Sequence, residues 1–154
     1  MKPTLTEISE LSFADTPSWN RVIEHTEARR YAILNAGLRR GDIGIAWRSD
    51  RIEPLVRQSL SGERWWIAID QAVASIDMKS ERVVLILPLN SNVLDMVVRD
   101  LFVVVLCETE AVVLNTDGSI RLIRSLPDLP DSVIDSNGEM GVALSDGNVI
   151  MLRS

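Results

Sequence analysis

From residue 43 onward, apolar residues fall into short runs separated by turn formers, the texture of a β protein. The runs predict strands over 43–48, 52–57, 65–69, 72–77, 82–87, 93–98, 101–107, 110–115, 119–124, 140–145 and 148–152. Asp117-Gly118, Asp146-Gly147 and Asn137-Gly138 are hairpin signals. Pro88, Pro127 and Pro130 sit between runs, where a missing backbone donor is tolerated. The segment 126–139 is expected to be a long loop. Ahead of Gly41 the pattern differs. Trp19, Val22, Ile23, Ile33, Leu34 and Leu38 recur at helical spacings, and Thr16-Pro17-Ser18 resembles a capped helix start. This predicts one amphipathic helix over 18–37, closed by Gly37 or Gly41, with Thr26 as its weakest point.

Three segments share one arrangement: an apolar strand, an acidic residue, two turn positions and a second apolar strand. They are WIAI-Asp70-QA-VASI, VVLC-Glu108-TE-AVVL and VALS-Asp146-GN-VIML, with the acids 38 residues apart each time. Val104/Val142, Leu106/Leu144 and Leu114/Leu152 are identical at the same spacing. Four strands in roughly 40 residues is the size of a propeller blade, so residues 43–154 resemble a β-propeller fragment. The resemblance is architectural, since the Gly-His and Trp-Asp signatures of WD40 blades are absent and no functional residue carries over. It implies two whole blades flanked by half-blades at 43–57 and 140–152, an array with open edges. A homodimer completing six blades is therefore expected. The competing architecture is a twisted antiparallel sheet or sandwich with the helix as cover.

At 154 residues the chain suits one domain, 1–154, divided into a helical segment 1–41 and β repeats over 42–154, an α+β reading that is mainly β. Charge is uneven: residues 1–64 carry a net +1 and residues 65–154 a net −7. The acidic part disfavours nucleic acid and suits a basic protein partner. No apolar run reaches the ~20 residues that span a bilayer. The first residues lack the apolar stretch of a signal peptide, and the lone Cys107 has no internal disulfide partner, so a cytoplasmic location is expected.

Catalytic chemistry finds little to use. His25 is the only histidine, so a nucleophile–base pair would depend on it alone, and its neighbours Glu24, Thr26 and Glu27 suggest a solvated position. Cys107 lies in an apolar strand without an adjacent cation to lower its pKa. The acids of 128–139 fail the EF-hand pattern, because Val133 and Leu144 stand where ligands are needed. Gly37, Gly41 and Gly44 make no phosphate loop. No catalytic, cofactor or metal residue is assigned. The candidate interaction surface is Trp65, Trp66, Trp47, Arg29 and Arg30, because consecutive strand residues face opposite sides and Trp and Arg dominate binding hot spots. The leading expectation is a non-enzymatic protein-binding or self-assembling module. A site at the centre of an oligomeric ring, binding a small ligand or acting as an enzyme, is the first alternative. A small acidic inhibitor of the toxin-immunity type is the second.

Overall fold

A computed structural model describes residues 3–136 and 138–153, and within them the chain is mainly β. The first sheet holds β1 (Thr4–Ile8), β2 (Arg21–Glu24), β3 (Arg30–Asn35) and β4 (Ile43–Trp47) in the order β1-β3-β4-β2. Only β2, which runs parallel to β4, departs from antiparallel pairing. One short helix, α1 (Glu10–Ala14), is capped by Ser9, whose Oγ accepts the Ser12 N–H at 3.2 Å.

The helix expected over 18–37 does not form. Residues 18–20 make a single 3-10 turn, and β2 and β3 take the rest. The polar stretch from Glu24 to Arg30 interrupts any helical stripe, while Val22, Ile23 and Ile33 are β-branched and favour strands. As strands, β2 and β3 flank β4 and bury Val22, Ile23, Ala32 and Leu34.

The second sheet is a four-stranded meander: β5 (Leu55–Gln58), β6 (Arg64–Ile69), β7 (Ala72–Asp77) and β8 (Arg82–Pro88). The third repeats it with β9 (Val93–Val98), β10 (Phe102–Cys107), β11 (Glu110–Asn115) and β12 (Ile120–Ser125). A fourth follows with β13 (Pro130–Ser136), β14 (Glu139–Leu144) and β15 (Val149–Met151). No sheet closes into a barrel among the described residues. The 38-residue period is structural between the second and third sheets. Their first strands begin at Leu55 and Val93, and irregularities in pairing recur at Ser75/Ile76 and Val113/Leu114. The phase differs from the sequence reading: each sheet starts one strand earlier, so β9 opens the third sheet instead of closing the second. The 126–139 segment is also corrected, because β13 pairs with β14 across it. Pro130 is tolerated at the first position of this edge strand. The Asn137-Gly138 turn lies partly outside the described residues.

Three apolar cores join the four sheets in chain order. Ile45 and Trp47 of the first sheet pack with Trp65, Ile67 and Ile69 of the second. Trp66, Ala68 and Val73 pack with Val103, Val105 and Cys107 of the third. Val104, Leu106 and Val113 pack with Val142 and Leu144 of the fourth. The last core breaks the repeat's pattern of faces. In the second and third sheets, odd positions of the second strand look back and even positions look forward; in β14 the even positions look back. Pattern decides this choice, since a strand turns its larger apolar set inward. The even side of β14 carries Met140, Val142 and Leu144, whereas the odd side offers only Gly141 and Ala143 between its ends.

Candidate functional site

The hairpin acids of the repeat sit at one end of the sheets, and their geometry accounts for their recurrence. Asp70 opens the two-residue turn between β6 and β7 with φ 51°, a left-handed conformation that aspartate tolerates better than most residues. Its side chain is buried, and Oδ2 accepts the Arg48 N–H at 2.6 Å while its carbonyl accepts the Val93 N–H at 2.7 Å. At the matching turn of the third sheet, Glu108 accepts the Asn92 N–H at 3.2 Å and buried Glu110 accepts the Asn90 N–H at 3.0 Å. Each carboxylate thus satisfies a backbone donor of an inter-sheet loop that would otherwise go unpaired. The third acid, Asp146, accepts the N–H of Asn148 within its own turn at 2.9 Å. Asp70, Glu108 and Glu110 are latches between sheets, and Asp146 braces its own turn.

A polar basin of about 620 Å³ opens beside Asp70, lined by Glu27, Arg29, Arg48, Ser49, Asp50 and Asn92. Its charges pair internally, Arg29 with Asp50 at 3.3 Å and Arg48 with Glu27 at 3.8 Å. His25 brings Nε2 to 3.9 Å from the Asp70 carboxylate, too far for a hydrogen bond. Ser49 Oγ is occupied in accepting the Ile52 N–H. Cys107 is fully buried, and burial, reinforced by the charges of Glu110 and Glu108, pushes its thiol up to about 12, so it holds its proton at neutral pH. The acids of 128–139 are spread among separate partners: Asp128 accepts the Leu129 N–H, Asp135 pairs with Arg99 and Glu139 with Arg153.

The candidate surface residues are mostly interior. Trp65 and Trp66 do face opposite sides, but one fills the core toward the first sheet and the other the core toward the third. Trp47 is buried too, its Nε1 donating to the Ile52 carbonyl at 3.0 Å and its ring lying 4.9 Å beneath the Arg30 guanidinium. Arg30 also donates to Glu7 at 2.6 Å, while Arg29 is exposed. Stacking of sheets on both sides, invisible in strand periodicity, withdraws these tryptophans from the surface.

Sequence reasoning missed the surface at the two ends of the stack. The outer face of the first sheet is closed by α1: Phe13 is buried, its ring centroid 5.2 Å from that of Tyr31, and a Cβ on Gly44 would lie 2.9 Å from it. No described element covers the outer face of the fourth sheet. The register places Ile134, Gly141 and Met151 in one row across it, and Ser132, Ala143 and Val149 in the next. Val149 is 46% exposed, these two rows carry no charged residue, and the charge of Glu139, next in the register, is paired with Arg153 at 2.8 Å. Comparing β14 with β10 holds the missed signal: Gly141 and Ala143 stand where Val103 and Val105 stand one repeat earlier.

No family model matches the chain, and no curated protein matches it. A solved structure described as Kuenenia stuttgartiensis hydrazine synthase is similar to it, with a TM-score of 0.50 and 10% identity, covering 79% of this chain and 43% of that one. The chain thus spans less than half of that neighbour, and the likeness is one of fold alone. No helix among the described residues is long and apolar enough to cross a membrane.

Proposed function

We propose that the chain is a non-enzymatic, self-assembling module of blade-like sheets that pairs with a second copy through the outer face of its fourth sheet. The observation that supports this reading is the contrast between the two ends of the stack, one sealed by Phe13 and the other without a covering element and uncharged across its two central rows. Burial of apolar surface drives association, at roughly 25 cal/mol per Å² before its costs. A two-fold arrangement uses the same patch on both copies. Gly141 and Ala143 let the sheets approach closely, while Ile134, Val149 and Met151 supply the contact. The β15 edge, unpaired among the described residues, borders the same face.

Light scattering on a size-exclusion column tests the proposal. Wild-type protein is expected at twice the mass of the chain, and Val149→Glu at the mass of one chain with its β spectrum unchanged. A wild-type monomer at micromolar concentration overturns it.

A further inference from the structure

The third and fourth sheets do not meet along their whole length. Near the starts of β10 and β14 they part around a cavity of about 320 Å³. Phe102, Val113, Leu122, Met140 and Leu152 give it an apolar floor, and Arg121, Glu139 and Arg153 give it a polar rim. Two cations stand at its rim. Arg153 is neutralised by Glu139 at 2.8 Å, and its carbonyl accepts from Arg124 at 2.7 Å. Arg121 is different: its guanidinium lies 5.3 Å over the Phe102 ring and has no carboxylate within ion-pair distance among the described residues. An exposed arginine stacked on an aromatic ring is held in place while its donors stay free, and its planar fork matches a carboxylate.

We infer that this cleft binds a small carboxylate with an apolar body, the body seated among Phe102, Leu122 and Met140 and the carboxylate on Arg121. Charge complementarity selects the class, because a cleft with an apolar floor and one unneutralised cation on its polar rim favours a monoanion over a neutral or cationic molecule. The volume, near the lower end of the ~300–1,000 Å³ typical of ligand pockets, selects a ring or a short branched chain. The cleft lies on the inner side of the fourth sheet, so this inference stands apart from pairing through the outer side.

Calorimetric titration with 4-phenylbutyrate and with its uncharged counterpart 4-phenylbutanol tests the inference. The acid is expected to bind at one site per chain, about tenfold or more tighter than the alcohol, the margin a charge-assisted hydrogen bond supplies. Arg121→Gln, a change on an exposed strand position, removes that margin. Met140→Trp, which fills the cavity, abolishes binding of both, and Arg82→Gln on β8 changes neither. Equal affinity for acid and alcohol overturns the inference, as does an Arg121→Gln variant that keeps the preference or an absence of saturable binding at millimolar acid. Should Met140→Trp fail to fold, the Arg121→Gln comparison decides alone.

Discussion

At Asp70 a turn residue and a long-range contact are the same side chain. The turn was legible, since a short acidic residue between two apolar runs suits a left-handed φ, and the structure puts Asp70 there at 51°. Its acceptance of the Arg48 N–H was not legible, because that donor comes from another sheet, 22 residues earlier in the chain. Asp70→Ala should strand the Arg48 N–H beneath the turn and strain the backbone. A loss of about 1–3 kcal/mol is expected in urea denaturation, the cost of one unmade buried hydrogen bond. Asp70→Asn, which keeps an acceptor and tolerates the same φ, should lose less. The tryptophans make a parallel point. Period-two alternation correctly sends Trp65 and Trp66 to opposite faces, but only the stacking of sheets says that both faces are interior.

Among elements, the strands from 43 onward other than β13 were legible to within about three residues of their ends, because turn residues bracket each apolar run. The misread elements are those whose local signals conflict. Apolar spacing over 18–37 fits a helix, yet its β-branched residues and central polar stretch suit two strands that gain burial on β4. Prolines and acids hide β13, which β14 recruits by pairing. Between elements, Glu81 clasps the β7–β8 turn to the loop before β4: its carboxylate accepts the Arg39 N–H and the Arg39 Nε–H, and its carbonyl accepts from Arg40. The Arg39 backbone donor, first among these, holds the Glu81 carboxyl below the ordinary glutamate value. The unfolded chain therefore binds protons more readily at this site than the folded one, so the clasp contributes above the ordinary value and fades as pH falls through the lowered one. Glu7, held by Arg30, Asp77, held by the Lys79 N–H, and Asp117, held by the Ser119 hydroxyl, are lowered in the same sense and add to the acid limb. Glu81→Gln should leave that limb present but shallower when stability is measured by urea titration from neutral pH down through the carboxylate range. An unchanged limb would remove Glu81 from the clasp.

For the molecule as a whole, burial is graded along the stack. The second and third sheets are covered on both faces, and β6 from Trp65 to Ile69 and β10 from Val103 to Cys107 are buried at every residue. The first sheet has one internal neighbour plus α1. The fourth has one internal neighbour, three strands and a last strand of three residues. Opening free energy follows such differences in cover, so the fourth sheet should open first. The repeat in the sequence could not reveal this gradient. It marks identical residues at Val104/Val142 and Leu106/Leu144, whereas the structure sets those pairs facing one another across a core and leaves Gly141 and Ala143 outside. If a second copy covers that outer face, association and opening are linked: the paired form must part before β14 and β15 exchange freely, and raising concentration stabilises the closed state by mass action. Amide hydrogens of β14 and β15 should exchange faster than those of β6 and β10 in dilute solution and slow as concentration rises, with Val149→Glu abolishing the concentration dependence. Rates that stay constant across that range in wild-type protein would mean the face remains in solvent, and the pairing proposal would fall with it.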